Sequence, residues 1–139
     1  MQISLEELLR VFSGQPSATE QAIRNAEAQC GLKLPDDYRK FFMRHNGGEG
    51  FIGKHYLILW KVEELYQFNR DYQIAEYAPG FFLFGSSGGG DAFVFDTRST
   101  PYPVMQVPFI GMSLDDAFFV AESFTKLLER MFQIDGPLF

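Results

Sequence analysis

The sequence FFLFGSSGGGDAFVFD, residues 81–96, has two short apolar runs on either side of a glycine- and serine-rich break. The first run covers residues 81–84, and the second alternates in character over residues 92–95. Aromatic and β-branched side chains favour a pleated, half-buried surface, and glycine lets the backbone reverse at low steric cost. The stretch therefore predicts a β-hairpin with a long turn, and we expect this hairpin to form the middle of a sheet.

Three segments before the hairpin have the spacing of amphipathic helices. We predict helices over residues 4–12, 17–30 and from Pro35 to about residue 45. Ser4 and Ser17 each stand three residues before a glutamate, which is the spacing of a capping box. Pro35 suits the first position of a helix because its missing N–H would have no partner there.

The remaining chain alternates between strand and helix signals. Residues 50–53 predict a loop, 56–60 a strand, 61–73 a helix, 104–107 a strand and 121–132 a final helix, whereas 109–119 is ambiguous. Adjacent strands joined by turns indicate an antiparallel sheet. We therefore predict an α+β fold in a single domain over residues 1–139, with a mainly antiparallel sheet and the helices packed on one face. Trp60, Phe93 and Phe95 are expected in or near the core.

Composition and charge restrict the functional classes. The 139 residues include 16 Phe and carry a net charge of −6, without a basic cluster. Nucleic-acid binding requires a concentrated basic surface, so direct contact with DNA or RNA is disfavoured. We expect no membrane span and no secretory signal. The single cysteine, Cys30, forms no internal disulfide and fits a cytoplasmic location.

The residues that could carry chemistry form no recognisable catalytic or metal-binding pattern. Gly88-Gly89-Gly90 leads into a strand rather than a helix, so a turn is favoured over a phosphate loop. Cys30, His45 and His55 follow no metal-ligand spacing, and Cys30 lies on an apolar helix face. The carboxylates of Glu49, Asp91 and Asp96 are most simply interpreted as solvated turn residues. We expect no enzymatic activity and no cofactor.

Four segments, in this order, resemble one known family. They are EAQCGLKLPDDYRKFFMRHNG at 27–47, LILWKVEEL at 57–65, FGSSGGGDAFVFD at 84–96, and VPFIG at 107–111 ahead of a last helix. The chain resembles the SUKH superfamily, the Smi/Knr cell-wall-regulator type, over about residues 18–132. The resemblance implies an α+β domain with a mainly antiparallel sheet, and it implies no catalysis.

The resemblance also implies a function in binding proteins. Bacterial domains of this type look like immunity proteins that neutralise polymorphic toxins, and related fungal domains act as regulatory scaffolds in cell-wall signalling. Both alternatives remain open on the sequence, as does the oligomeric state. We predict a basic, nuclease-like toxin domain as the partner, because an acidic inhibitor complements a phosphate-attracting surface. The candidate contact residues are Glu49, Phe51, Tyr56, Glu63, Glu64, Asp71, Glu76 and Asp91.

Overall fold

The computed structural model describes residues 4–138, so the predicted 1–139 boundary extends beyond the described part at both ends. Within that part, six strands form one antiparallel sheet in the order β1-β2-β3-β4-β5-β6. The strands are β1 Gly48–Ile52, β2 His55–Leu59, β3 Phe81–Ser86, β4 Asp91–Asp96, β5 Val104–Pro108 and β6 Phe118–Ala121. The helices are α1 Leu5–Leu8, α2 Glu20–Cys30, α3 Asp36–Phe42, α4 Leu65–Asp71, α5 Ile74–Tyr77 and α6 Phe124–Gln133. The predicted α+β class is confirmed.

The central hairpin lies where the sequence predicts it. Strands β3 and β4 pair in antiparallel register from Phe81 opposite Asp96 to Ser86 opposite Ala92, and they occupy the two middle positions of the sheet. A bulge interrupts the register between Leu83 and Gly85. Every residue of β3 is buried, whereas a strand with one solvated face would alternate buried and exposed residues.

The helices cover both faces of the sheet, so the prediction that they gather on one face is wrong. Successive side chains of a strand point to opposite faces, and the two sets here belong to separate apolar clusters. Phe82, Phe84, Phe93 and Phe95 join the larger cluster with α1, α2, α3 and α6. The smaller cluster on the opposite face includes the buried apolar side chains Ile74, Ala78, Phe81, Leu83, Ala92, Val94, Val107 and Met112. Phe93 and Phe95 are thus in the core, as predicted.

Strand β1 occupies the region where a loop was predicted at residues 50–53. It pairs with β2 from Gly48 opposite Leu59 to Ile52 opposite His55. The glycines that suggested a loop serve close packing instead, since a Cβ atom on Gly50 would lie 2.1 Å from Cγ2 of Val11. The turn after α1 therefore packs directly on the backbone of this edge strand.

Several predicted helices are shorter or interrupted. Residues 4–12 form α1 and then a 3-10 turn over Arg10–Phe12, and Ser4 caps α1 as predicted, accepting the N–H of Glu7 at 3.2 Å. Helix α2 begins later than predicted, because Thr19 rather than Ser17 accepts the N–H of Ala22, at 3.0 Å.

The segment predicted as one helix at 61–73 contains two pieces, and a separate helix, α5, follows it. A 3-10 turn at Val62–Glu64 precedes α4, and Gln73, with a φ of 54°, separates α4 from α5. The predicted last helix begins at Phe124 rather than at residue 121, because Ala121 belongs to β6. Strand β6 falls in and just after the ambiguous stretch.

Asn69 completes the sheet where β2 leaves β3. The two strands pair only at Ile58 with Ser86 and at Leu59 with Gly85. Beyond that point the Asn69 side chain on α4 takes the place of a neighbouring strand. Its Oδ1 accepts the N–H of Leu83 at 2.7 Å, and its Nδ2 donates to the carbonyls of Leu83 at 2.9 Å and Leu65 at 2.8 Å. This contact fixes α4 against the sheet.

Valine at Gly88 or Gly90 is expected to destabilise the protein by about 1–3 kcal/mol, because a side chain is strained in the left-handed region. The φ angles are +80° at Gly88 and +97° at Gly90, whereas Gly89 lies outside that region. Gly89→Val is the matched control and should change stability little. Urea denaturation of the three variants measures the effect. Three unchanged midpoints, together with protection of the wild type from heat by a nucleotide, would contradict the assignment as a structural turn.

Candidate partner-binding site

The hairpin of β1 and β2 brings together three of the predicted contact residues. Phe51 lies opposite Tyr56 in the strand register, and their rings meet edge to face with centroids 5.0 Å apart. The Tyr56 hydroxyl donates a hydrogen bond to the Glu49 carboxylate. Phe51 remains 63% exposed. Leu57 and Leu59 point into the larger cluster. The three side chains therefore lie on the opposite face of the sheet, on the side of α4.

The Glu49 contact favours the protonated form of Tyr56. The hydrogen bond to the carboxylate raises the pKa of Tyr56 above its ordinary value, with partial desolvation and the negative charge of Glu49 acting in the same direction. Tyr56 therefore stays a neutral hydrogen-bond donor at physiological pH.

A row of four aromatic rings continues on the same face, and sequence reasoning did not assign it a function. Trp60 stacks on Phe68 at 4.5 Å and 22°, Phe68 lies 6.4 Å from Tyr72, and Tyr72 lies 4.7 Å from Phe109. We call these four residues the aromatic row. Trp60 is half-buried and packs against the smaller apolar cluster, in agreement with its predicted near-core position. Only the i, i+4 spacing of Phe68 and Tyr72 could have been found in the sequence.

The glycine turn between β3 and β4 lies between the hairpin and the aromatic row. A Cβ atom on Gly88 would lie 3.2 Å from the Tyr56 ring and 3.7 Å from Cδ1 of Ile58. On the other side, the N–H of Phe109 donates to the carbonyl of Gly90 at 3.0 Å. The hairpin, the turn and the row therefore form one neighbourhood at one end of the sheet.

The acidic and basic residues along α4 lie on different sides of the helix. Glu64 and Tyr72 flank α4 with helical backbone angles, so helical spacing places them with Phe68 and Asp71 along one stripe. Arg70 lies on another side, where it lines a cavity that also includes Tyr66 and Cys30. The exposed carboxylate of Asp71 thus adjoins the aromatic row, and Glu64 stands at the start of the stripe, where it accepts the N–H of Lys61 at 2.9 Å.

The other predicted contact residues lie apart from this neighbourhood. Glu63 accepts a hydrogen bond from Nδ2 of Asn46 at 2.8 Å and lines a cavity beside α2. Asp91 alternates with Ala92 and so shares the sheet face of Phe93, where it is half-buried. Glu76 is exposed on α5, with no contact that relates it to the row. The structure therefore groups Glu49, Phe51, Tyr56, Glu64 and Asp71 on one face but not the full predicted set.

The residues considered for catalysis have structural contacts or are partly buried. His55 Nε2 lies 2.6 Å from the carbonyl oxygen of Ile134, and the His45 ring packs against Phe41 at 6.2 Å. Burial raises the pKa of the Cys30 thiol to about 11. Across residues 4–138, no three His, Cys, Asp or Glu side chains are grouped so as to hold a metal ion. The described residues thus offer no activated nucleophile at Cys30.

Cys30 is expected to react slowly with iodoacetamide at neutral pH, because the thiolate is the reactive form and its pKa is about 11. The rate should rise about tenfold for each pH unit up to that value. Since Cys30 is the single cysteine, alkylation followed by intact-mass spectrometry reports on it alone. Urea-unfolded protein is the control and should react with an ordinary thiol pKa. Rapid alkylation of the folded protein at pH 7 would contradict the burial argument.

A cavity of about 530 Å³ lies at the N-terminal ends of α3 and α6, beside the turn between β4 and β5. Its walls include the side chains of Leu34, Pro101 and Phe124. The nearby Asp37 carboxylate is already bonded to the N–H and hydroxyl of Thr125, at 2.8 and 2.9 Å, and thereby joins α3 to α6. We interpret Asp37 as a structural residue.

The fold and the site define an α+β domain whose exposed aromatic surface is suited to contact with another macromolecule. No helix within residues 4–138 is long and apolar enough to cross a membrane. The sequence model of the SMI1 / KNR4 family (SUKH-1) matches residues 17–130, and the chain belongs to this family. It is also 24% identical over 127 residues to the uncharacterized protein YnaB of Bacillus subtilis (strain 168), a match that covers 90% of this chain and 83% of YnaB.

Proposed function

We propose that this protein is a non-enzymatic binding domain that acts as a cytoplasmic immunity protein, neutralising a toxin by direct contact. Membership of the SMI1 / KNR4 family supports a role in protein–protein interaction. The observation that carries the proposal is the exposed aromatic surface bordered by carboxylates, because aromatic side chains are typical anchors of protein interfaces. On this proposal, residues 1–139 act as one binding unit.

The partner in this proposal is a basic, nuclease-like toxin domain. The chain carries a net charge of −6, and Glu49 and Asp71 are exposed beside the aromatic rings. Nucleases attract phosphate with basic surfaces, so an acidic inhibitor gains both association rate and orientation from the complementary field. The aromatic anchors provide the affinity, since exposed charge pairs are each worth little.

The test is co-expression with the C-terminal domain that the neighbouring gene encodes, as the candidate toxin. The wild-type protein is expected to restore growth, and the association rate is expected to fall as salt is raised, because screening weakens long-range attraction. Failure to restore growth would exclude the immunity function for that pair. Restored growth with a salt-independent association rate would exclude the electrostatic account while keeping the immunity function.

A further inference from the structure

We infer that the aromatic row is the docking surface for an arginine-bearing segment of a basic protein partner. The inference rests on the proposed function for the basic protein partner. It adds where that partner binds and which of its side chains is recognised. The row consists of Trp60, Phe68, Tyr72 and Phe109, and it adjoins the Phe51–Tyr56 pair across the glycine turn.

The row is partly exposed: Trp60, Phe68 and Phe109 are half-buried against the smaller cluster, and Tyr72 is exposed. Tyr72 is 42% exposed at the centre of the row, between Phe68 and Phe109, and Ile110, next to Phe109, is 93% exposed. Exposed apolar patches of this kind, bordered by polar groups, mark interaction sites. Phe51 extends the apolar area on the far side of the turn.

The carboxylates around the row favour a cationic side chain of the partner over an anionic one. Glu49 and Asp71 are exposed carboxylates on this face, and Glu64 stands on the same stripe of α4 as Asp71. Two of the nearby cations are directed elsewhere: Arg70 lines the cavity with Cys30, and Lys54 is paired with Asp135 at 3.4 Å. Lys61, next to Trp60, is exposed, so the three carboxylates stand against one nearby lysine. Aromatic faces beside carboxylates attract guanidinium groups through cation–π contact and charge-assisted hydrogen bonds, whereas they repel phosphate.

The protein holds one of its own arginines in such a setting. The guanidinium of Arg98 lies 5.4 Å from the centroid of the Phe81 ring. Its Nε and Nη2 atoms also donate to the two carboxylate oxygens of Asp96, at 2.9 and 3.0 Å. The row offers an incoming arginine the same kinds of group, since helical spacing places the Asp71 carboxylate beside Phe68 and Tyr72.

The surface is also organised before binding. Asn69 anchors α4 to Leu83 through hydrogen bonds in both directions, and stacking on Trp60 fixes the position of Phe68. A preformed row loses little side-chain entropy on binding, so its contacts contribute more of their energy to affinity.

Direct binding of defined probes tests the inference. The probes are a fluorescently labelled peptide of alternating arginine and glycine, the same peptide with lysine for arginine, and a labelled oligothymidylate. Probe anisotropy measures binding, and the emission of Trp60, the single tryptophan, reports whether the row is the contact. We expect the arginine peptide to bind about threefold to tenfold more tightly than the lysine peptide, with a saturable change in Trp60 emission, because guanidinium stacks better on aromatic faces.

Tyr66 in α4 and Tyr72 at its C-terminal cap provide matched variants. Tyr72 and Tyr66 are 42% and 41% exposed, but only Tyr72 belongs to the row, whereas Tyr66 lines the Cys30 cavity. Tyr72→Ala should weaken arginine-peptide binding about threefold to tenfold, and Tyr66→Ala should leave it unchanged. Circular dichroism verifies that both variants are folded, and Asp71→Asn provides a further variant with little effect expected on packing.

Four outcomes would overturn the inference. They are no binding of the arginine peptide at millimolar concentration and low salt, equal binding of the lysine peptide, equal losses in the two tyrosine variants, or binding of oligothymidylate in place of peptide.

The co-expression assay separates this inference from the proposed function. If the wild type restores growth and Tyr72→Ala does so as well as Tyr66→Ala, the immunity function stands and the docking surface is wrong. If the wild type fails with the toxin but the peptide results hold, the docking surface stands and the immunity function fails for that pair.

Discussion

Replacing Phe95 by alanine is expected to lower the free energy of unfolding by about 3–5 kcal/mol, because it removes a large buried ring and leaves a cavity. Phe95 is 1% exposed on β4, at the centre of the sheet. Its ring stacks on Phe84 at 4.2 Å and meets Tyr38 edge to face at 5.3 Å. A loss of this size is a large fraction of the 5–15 kcal/mol that stabilises a typical domain.

Urea denaturation followed by Trp60 fluorescence measures the Phe95→Ala effect, and Phe51→Ala is the matched control. Phe51 carries the same side chain on the same sheet, but it is 63% exposed, so its removal should cost about 1 kcal/mol or less. Similar midpoints for Phe95→Ala and the wild type would show that the ring interactions across the larger cluster contribute little to stability.

The central hairpin could be predicted because its signal is local. The alternation in residues 92–95 and the glycine break need no knowledge of the rest of the chain. The covering of both sheet faces was missed, although the run Phe81-Phe82-Leu83-Phe84 has no polar residue on either face. A continuous apolar run indicates burial on both sides, and the structure shows that burial for every residue of β3.

Strand β1 was predicted as a loop because glycine in a sequence is compatible with two different structures. It favours loops through its backbone freedom, but it also permits close packing in a strand. Gly50 has the second role, since the side chain of Val11 fills the space above it. The packing of Val11, which is distant in sequence, distinguishes the strand from the loop at Gly50. The local sequence around Gly50 does not include Val11.

The candidate site was only partly predictable for the same reason. Phe51 and Tyr56 are near neighbours in sequence, and their pairing follows from the short turn between β1 and β2. The aromatic row joins Trp60, Phe68 of α4, Tyr72 at the end of that helix, and Phe109, which comes after β5. The contact between Tyr72 and Phe109 depends on how α4 packs on the sheet, where Asn69 bonds the helix to Leu83.

Replacing Asn69 by alanine is expected to destabilise the protein by about 2–4 kcal/mol, because buried backbone groups lose their partners. Leu83 is fully buried, and its N–H and C=O both bond to Asn69, where β2 no longer supplies a strand. Alanine leaves both groups unsatisfied and also removes the bond to the Leu65 carbonyl. Urea denaturation measures the loss, and Gln67→Ala, at an exposed position of the same helix, is the control.

A second substitution distinguishes lost hydrogen bonds from lost packing. Asn69→Asp keeps the side-chain shape and still accepts the Leu83 N–H, but its carboxylate faces the carbonyl oxygens of Leu83 and Leu65, which Nδ2 of Asn69 contacts at 2.9 and 2.8 Å. The charged form is disfavoured there, so the folded-state pKa of the introduced carboxyl lies above its unfolded value. Its stabilising contribution is then present at low pH and lost as pH rises. The stability deficit relative to the wild type should therefore be large at pH 7 and shrink toward pH 4. A deficit that is small, or that stays constant with pH, would show that Asn69 acts by filling space rather than by replacing the missing strand.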